Sequence, residues 1–323
     1  MPRGWSFYLI LGLLGVTLLG PTALAADKIR IGVTVIVSHP ALEEDQKGFE
    51  KALADAGFGP EKVVYDYQNA QGEMSNAQQI AQKFKSDQVD LVHAIATPTS
   101  QAAVKVIKNI PIVYSSVTDP VDAGLVKTMA PDGRNVTGIS DAWDIDAQLG
   151  LYHQMAPGAK KWGTVYNAGD ANSVVNIGRT KKAAEKLGLE IIEVTVSNSS
   201  EVYTAAQSLM GRVDAIYITS DNTVVSAFES VVKVANQNKI PLFAGDVGSV
   251  PKGAVAALGF NYFQVGFSAG KKAALILSGQ KKPGEIPSGY AENPSLHLNL
   301  SASKVQGLPV AQEYIDRAEK VFP

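Results

Sequence analysis

Short, continuously apolar runs alternate with amphipathic segments through the first half of the chain. In the first amphipathic segment, Leu42, Phe49, Leu53 and Ala56 fall on one face of a helix, which ends at Gly57. We predict strands at Ile29–Val37, Val63–Tyr67, Val89–Ala96 and Ile110–Val117, and helices over 41–56, 76–85 and 100–108. Strands that are apolar throughout, each followed by a helix, are typical of a parallel sheet covered on both faces.

The same alternation recurs in the second half of the chain. VDAIYIT at 213–219 is similar to VDLVHAIAT at 89–97, and KIPLFAGD at 239–246 is similar to NIPIVYSSVTD at 109–119. The two series are offset by about 125–130 residues, which is the size of a domain and too long for a solenoid repeat. Further strands are predicted at 162–166 and 191–196, and helices over 172–187, 200–211 and 223–238. The duplication predicts an α/β protein of two similar, doubly wound lobes.

The first 25 residues form a separate segment. Arg3 precedes the run FYLILGLLGVTLL, Gly20-Pro21 breaks it, and Ala23-Leu24-Ala25 gives an A-x-A processing pattern. We predict a signal peptide over 1–25 that is cleaved after about Ala25. The alternative is a membrane anchor, but the run is shorter than the ~20 residues that a spanning helix needs.

Composition narrows the compartment and the class of partner. The chain has no cysteine, which excludes disulfides, thiolate chemistry and a lipobox anchor. A signal peptide without lipidation predicts a location in the bacterial periplasm. Of the 323 residues, 46% are hydrophobic and 19% are charged, which favours globular domains over disorder. The net charge of −2 comes without a basic block, so we expect no nucleic-acid partner.

Ligands of open parallel sheets bind outside the carboxyl ends of the strands. In the first lobe the residues there offer hydroxyl groups and helix N-termini, which suit a carboxylate. In the second lobe Asp221 and Asp246 suit an ammonium group, so the two lobes would clamp a small zwitterion. Alternatively, these residues are helix caps and turn formers. The candidate ligand-binding residues are Ser38, His39, Thr97, Thr99, Ser116, Thr118, Asn172, Asp221, Asn222 and Asp246.

Aromatic residues near the predicted strand ends are expected to form core or cleft wall. If several of them faced the cleft, an aromatic or apolar ligand would be favoured. They are Tyr114, Tyr166, Tyr217, Phe260 and Tyr262.

His39 is followed by Glu43, Glu44 and Asp45. Acids near a helix N-terminus are favoured by the helix dipole, and a second histidine at metal-ligand spacing is absent from this stretch. We therefore interpret His39 as a residue that lines the cleft and neither as a catalyst nor as a metal ligand.

The sequence carries one pattern that is typical of an enzyme. Gly266–Gly270 spells G-x-S-x-G, which in hydrolases needs a strand–turn–helix corner. Here Phe263, Phe267 and Ala274 fall at helical spacing, so we place the pentapeptide inside a helix, where its glycines would permit close packing. A hydrolase would need Ser268 at a strand end. The four histidines are scattered, and we predict no enzyme activity, no metal and no cofactor.

Segments between about Ile31 and Gly266 carry a resemblance to a known family. The chain resembles a type I periplasmic solute-binding protein, and more narrowly the substrate-binding proteins of ABC importers that include the tryptophan- and tyrosine-uptake proteins. The segments are VSHPALEEDQKGF, NAQGEMSNAQQIAQ, AIATPTSQAA, SSVTDPVDAGLV, NVTGISD, YNAGDANSV, DAIYITSDNTVVSA, IPLFAGDVGSV and ALGFNYFQVG.

The resemblance implies capture of a small solute, an amino acid with aromatic ones among the candidates, and its delivery to an ABC permease in the inner membrane. We expect a monomer that closes about a three-segment hinge. A binding protein that reports to a membrane receptor is the alternative. We also expect Asp221→Ala to leave folding intact and to weaken binding. The tail AQEYIDRAEKVFP departs from the family pattern and is expected to add a surface helix.

The family's architecture also implies where the lobes begin and end. The first lobe is predicted to take residues 27–142 plus about 262–290, and the second residues 143–261 plus about 291–323. Three short crossovers would join them, near Asp141–Asp144, near Asn261–Tyr262 and near Ile286–Ser295.

Overall fold

A computed structural model describes residues 1–2 and 28–323. Its first sheet is parallel, and the order across it is β11-β5-β4-β3-β1-β2. The strands are β1 (Ile29–Val35), β2 (Val63–Asn69), β3 (Leu91–Ile95), β4 (Ile112–Val117), β5 (Val136–Ser140) and, late in the chain, β11 (Gly289–Tyr290).

The second sheet has the order β13-β12-β10-β9-β8-β6-β7 and is parallel except where β12 runs against β10. Its strands are β6 (Lys161–Asn167), β7 (Glu190–Val196), β8 (Ala215–Ile218), β9 (Leu242–Ala244), β10 (Ala256–Gly259), β12 (Ser295–Asn299) and β13 (Lys320–Phe322). The predicted α/β class with two similar doubly wound sheets is confirmed.

Helices follow most strands and cover the sheets. They are α1 (Pro40–Asp55), α2 (Met74–Ser86), α3 (Thr97–Val106), α4 (Ile145–Met155), α5 (Ala171–Leu187), α6 (Val202–Ser208), α7 (Asn222–Ser226), α8 (Phe228–Asn238), α9 (Tyr262–Leu277), α10 (Leu300–Val305) and α11 (Gln312–Arg317). Within the described residues, no helix combines the length and the apolar character that crossing a membrane requires. The predicted signal peptide, apart from Met1 and Pro2, lies outside the described residues.

One sequence prediction about helices is wrong and another is incomplete. The segment 223–238 is interrupted at Ala227, whose φ of −118° and ψ of 30° are not helical, so α7 and α8 are separate. The tail is not a surface helix alone. It forms α11, which buries Tyr314, and then adds β13 to the sheet beside β12. The backbone groups of β13 form hydrogen bonds with β12, a strand that is distant from it in the sequence. The spacing of apolar residues within the tail therefore does not reveal this strand.

The chain passes between the two sheets three times. It leaves the first sheet after β5, returns from β10 into α9, and crosses again between β11 and β12. The first two passages touch, because the rings of Trp143 and Phe260 stack with centroids 4.6 Å apart. Since β11 pairs with β5, the third passage is confined to 291–294. The lobe boundaries themselves stay a prediction.

Helices α1 and α9 approach each other so closely that their backbones touch. A β-carbon on Gly266 would lie 1.7 Å from the carbonyl oxygen of Asp45, and one on Gly48 would lie 1.9 Å from that of Phe263. Gly270 is similarly close to Phe49. The G-x-S-x-G pattern therefore lies inside α9, as predicted, and its two glycines form a helix–helix contact.

Gly266→Ala is expected to lower the free energy of unfolding by ~1–3 kcal/mol or more, because the methyl group would have to push α9 away from α1. Ser268→Ala, at a half-buried position of the same helix, is the matched control and should change it by less than about 0.5 kcal/mol. Urea denaturation followed by circular dichroism measures both. Equal midpoints for Gly266→Ala and wild type would contradict this close contact.

Candidate functional site

A small cavity of about 20 Å³ lies between the carboxyl ends of the two sheets. Both sheets contribute to the lining, and so do residues at the passages between them. The lining residues are His39, Ala41, Leu42, Ser116, Thr118, Asp141, Asn172, Ser220, Asp221, Asn222, Val225, Asp246 and Tyr262.

The structure brings most of the predicted site residues together around this cavity. Those in its lining are His39, Ser116, Thr118, Asn172, Asp221, Asn222 and Asp246. The other predicted residues lie outside the lining. Ser38 accepts a hydrogen bond from Nδ2 of Asn69 at 2.9 Å, Thr99 donates to the carbonyl oxygen of Ile95, and Thr97 is buried at the start of α3. Their roles as ligand contacts stay a prediction.

Asp141 is an acid of the cavity that sequence reasoning placed only in a crossover. Its Oδ2 accepts a hydrogen bond from the hydroxyl of Tyr262 at 2.7 Å. Its buried Oδ1 has no hydrogen-bond partner among residues 1–2 and 28–323. Burial, with a smaller contribution from the charge of Asp45, raises the pKa of Asp141 to about 6. Asp141, which lines the cavity, thus keeps one carboxylate oxygen without a partner in that part of the chain.

Asp221 is tied into the second lobe. Its Oδ1 accepts from the backbone N–H of Val224 at 2.8 Å, and its Oδ2 accepts from the N–H of Asn167 at 2.7 Å and from the hydroxyl of Ser173 at 2.6 Å. Burial raises the pKa of Asp221, and these donors oppose that rise. The carboxylate therefore caps the N-terminus of α7 and, through Asn167 and Ser173, stabilises the connection between β6 and α5.

Asp246 is also buried and held locally. Its Oδ2 accepts from the hydroxyl of Ser249 at 2.7 Å, and burial is the main cause that raises its pKa. Both predicted ammonium acceptors thus have structural partners. The expectation that Asp221→Ala leaves folding intact conflicts with the three donors that would lose their acceptor.

A buried hydrogen-bond network includes Ser116. The hydroxyls of Ser115 and Ser116 both donate to the carboxylate of Asp45, the former at 2.7 Å. Nε2 of His93 lies 2.8 Å from the Ser115 hydroxyl, and the His93 ring stacks on Phe49. Since Ser116 gives its hydrogen to Asp45, its oxygen can only accept from a ligand.

The network also holds an uncommon backbone conformation. Ser116 has a φ of +54°, and the register between β4 and β5 shifts between Tyr114 and Val117. A left-handed conformation of a non-glycine residue costs about 1–3 kcal/mol and persists where surrounding contacts enforce it. The bonds to Asp45 are such contacts.

The N-terminus of α1 opens into the cavity. Ala41 and Leu42 line it, and amides of the first helical turn have no carbonyl partner within their own helix. His39, the residue before the helix, makes no side-chain cap within the described structure, and its buried Nδ1 has no partner there either. Burial lowers the pKa of His39 to about 4. A neutral imidazole and free amides suit a carboxylate group.

The charged side chains of the lining are all acidic among the residues that the structure describes. Oδ1 of Asn172 and Oγ of Ser220 are buried without a partner in that part of the chain. Among the same residues the lining includes three aspartates and neither lysine nor arginine. Its electrostatic character favours a ligand that carries a cationic group.

One of the five aromatic residues considered from the sequence lines the cavity, namely Tyr262. Tyr114 and Tyr217 are buried in the lobes, Phe260 stacks on Trp143, and Tyr166 donates to Glu193 at 3.1 Å. The aromatic wall, within the described residues, is therefore a single ring next to the apolar side chains of Leu42 and Val225.

Sequence reasoning missed three polar residues of the lining, Asp141, Ser220 and Tyr262, and it missed Asp45, which bonds to the lining residue Ser116. A signal for Asp45 was present, because it lies three residues after Leu42 and four before Phe49, on the apolar stripe of α1. An acid on a buried stripe needs a partner. Asp141 and Tyr262 flank crossovers, and their meeting depends on how the chain passes between the sheets.

Asp221→Ala is expected to lower the free energy of unfolding of the ligand-free protein by ~1–3 kcal/mol or more, because three buried donors lose their acceptor. Asp141→Asn should leave it unchanged or raise it, since the change removes a carboxylate that burial disfavours and keeps an acceptor for Tyr262. Chemical denaturation without ligand measures both. If Asp141→Asn lowered the free energy of unfolding more than Asp221→Ala does, Asp141 and not Asp221 would be the acid that stabilises the fold.

Comparisons with known proteins agree with this geometry. A protein from Clostridioides difficile named tyrosine-binding protein is 43% identical over 275 residues, which are 85% of this chain and 79% of that protein. The family described as ABC transporter substrate binding protein matches residues 30–322.

Two solved structures superpose closely. One is a conserved domain protein from Vibrio cholerae, 38% identical with a TM-score of 0.89, covering 91% of this chain and 100% of that one. The other is an ABC domain from Streptococcus pneumoniae in complex with L-Trp, 29% identical with a TM-score of 0.87, covering 92% and 100%.

A third structure superposes less well although its sequence is more similar than that of the L-Trp complex. The ligand-free, open structure of a substrate-binding protein with adhesive properties from Clostridium difficile is 39% identical and covers 91% of this chain and 99% of that one, yet its TM-score is 0.67. As a whole, this chain therefore superposes better on the L-Trp complex than on the ligand-free, open structure. With the family match over most of its length, the chain belongs to the ABC transporter substrate-binding proteins.

Proposed function

We propose that this protein captures an aromatic amino acid between its two lobes and delivers it to an ABC permease in the inner membrane. The observation that carries the proposal is the cavity, in which buried polar atoms from both lobes lack partners within the described residues. An unpaired buried polar atom costs about 1–3 kcal/mol. A ligand that pairs several of them would stabilise the closed arrangement.

Closure would be a hinge motion about the three passages between the sheets. The first passage follows Ser140, the second precedes Tyr262, and the third lies at 291–294. The lobe boundaries proposed from the sequence, 27–142 with about 262–290 and 143–261 with about 291–323, fit the division of strands between the sheets. The better superposition on the L-Trp complex than on the ligand-free, open structure supports two arrangements of the lobes.

The ammonium group of the ligand would bind at Asp141. Oδ1 of Asp141 has no partner within the described residues, and the Ser116 oxygen is restricted to accepting. The backbone N–H of Asp141 donates to the carbonyl oxygen of Val117, and Asp141 therefore lies beside the strand end that carries Ser116. Two acceptors from neighbouring strand ends suit the several hydrogens of an ammonium group.

The ligand carboxylate would bind at the N-terminus of α1. The first-turn residues Ala41 and Leu42 and the neutral ring of His39 line the cavity. Such a site binds an anion without a cationic side chain, which agrees with the lining. The ring of the ligand would then lie against Tyr262, Leu42 and Val225. The relatives named for tyrosine and solved with L-Trp support an aromatic side chain.

We further propose that the protein acts as a monomer in the periplasm after removal of its signal peptide. The family match supports a permease as the partner. Members of the family are substrate-binding proteins, and Ser268 lies within α9 instead of at a strand end, so no hydrolase mechanism is proposed.

Isothermal titration of the purified mature protein with L-tyrosine, L-tryptophan, L-phenylalanine and L-leucine tests the function. At 100 times its dissociation constant, a true ligand adds ~2.7 kcal/mol to the free energy of unfolding. Small-angle scattering should show a smaller radius of gyration with the ligand bound. Failure of every aromatic amino acid to bind would refute the proposal.

Asp141→Asn is expected to weaken binding of the preferred amino acid by about tenfold or more, because a charged hydrogen bond contributes ~1.5–3 kcal/mol. The des-amino analogue of that ligand lacks the ammonium group and should bind both proteins equally weakly. Titration calorimetry of the two proteins against the two ligands gives the comparison. If Asp141→Asn weakened the binding of both ligands equally, the ammonium group would not bind at Asp141.

Affinity is also expected to rise between about pH 5 and pH 7 as Asp141 ionises. Its pKa is raised to about 6 in the ligand-free protein, and a bound ammonium group favours the ionised form. The dissociation constant should therefore be about tenfold larger at pH 5 than at pH 7. His39, with its pKa lowered to about 4, stays neutral in this range.

Asp170 is a second acid whose pKa is raised to about 6, mainly by burial. Asp141→Asn separates the two acids, because it should flatten the pH profile if Asp141 is responsible. An unchanged profile in this variant would assign the pH dependence to another group.

A further inference from the structure

An ion pair joins the two lobes outside the cavity. Nη2 of Arg179 lies 2.7 Å from Oδ2 of Asp119, and the side chains are 35% and 24% exposed. Asp119 follows β4 of the first sheet, whereas Arg179 belongs to α5, which connects β6 and β7 of the second. The partners therefore belong to elements of different sheets.

Each partner is also linked to the cavity through its own element. Asp119 directly follows Thr118, which lines the cavity. Arg179 lies on α5, which also carries Asn172, another lining residue. At 1.5 Å per residue, Arg179 is about 10 Å further along the helix axis than Asn172. On this side of the molecule α3 of the first lobe packs against α5.

Other acids near Arg179 are engaged elsewhere. Arg179 shares a groove with Asp144 and Asp146. Asp144 caps α4 by accepting from the N–H of Ala147 at 3.0 Å, and Asp146 pairs with Lys186 at 2.7 Å. Oδ1 of Asp119 accepts from the N–H of Asp122, which leaves Oδ2 for Arg179.

We propose that the Arg179–Asp119 pair is a latch that stabilises the closed arrangement and so determines how long the ligand stays bound. The proposal rests on capture by closure, as proposed above. Opening about the passages between the sheets separates residues of different lobes, so the pair contributes to the closed arrangement and little to the open one. Its contribution then enters the ligand affinity, although neither residue touches the ligand.

Arg179→Gln is expected to weaken amino-acid binding about 2- to 5-fold, the range for a partly exposed ion pair. The dissociation rate should rise by that factor, with little change in the association rate. The difference from wild type should shrink as sodium chloride is raised from about 0.05 M to about 0.5 M, because salt screens an exposed pair. Stopped-flow fluorescence with the preferred amino acid measures both rates.

Lys181→Gln is the matched control. Lys181 lies on the same helix and pairs with Glu193 at 2.7 Å, but both residues belong to the second lobe. Its removal should leave the affinity and both rates unchanged. Asp119→Asn, which keeps the oxygen that caps the following turn, should reproduce the effect of Arg179→Gln.

A double-mutant cycle separates the latch from a general loss of stability. In the Asp119→Asn background, Arg179→Gln should have no further effect on the dissociation rate. The same loss in both backgrounds, or wild-type rates in Arg179→Gln, would overturn the latch. If wild type itself binds no amino acid, the proposed function fails instead, and the two failures are distinguishable.

Discussion

The backbone contact between α1 and α9 is the constraint on which the site depends. Gly48, Gly266 and Gly270 allow it, because a β-carbon at any of them would overlap the opposite helix. The contact fixes α1, whose start faces the cavity, against α9, whose first residue is Tyr262. It also fixes Asp45, which reaches from α1 to the serines at the end of β4. Three parts of the cavity are thus positioned by one helix crossing.

Buried acids serve different purposes in this protein, and their hydrogen bonds distinguish them. Asp45 and Asp221 are surrounded by donors and fasten loops at strand ends. Asp141 accepts one bond from a side chain and leaves its other oxygen without a partner in the described residues. Burying a carboxylate is costly unless it is paired. The ligand-free protein already bears the free-energy cost of burying this unpaired oxygen. A ligand that donates a hydrogen bond to it would remove that cost, and this would add to the affinity.

The same reasoning connects the cavity with lobe closure. Asp141 lies in the first passage between the sheets, and Tyr262 directly follows the second, so their hydrogen bond joins the two passages at the cavity. The stacked rings of Trp143 and Phe260 hold the same passages together nearby. A ligand bound there would contact the segments about which the lobes would move, and closure would bury the polar atoms of both lobes around it.

The sequence by itself determined the α/β class, the duplication and the edge of the sheets at which a site would form, because apolar runs and their spacing depend on local burial. It also grouped His39, Ser116, Thr118 and the acids of the second lobe at that edge. It could not decide which acid keeps an oxygen for a ligand. Asp221 and Asp141 differ in the donors that tertiary structure brings to them, and Asp45 was interpreted only as an acid near a helix N-terminus because its partners lie in β4. The break between α7 and α8 at Ala227 depends on packing, and β13 depends on pairing across the sheet. A local sequence pattern shows neither of them.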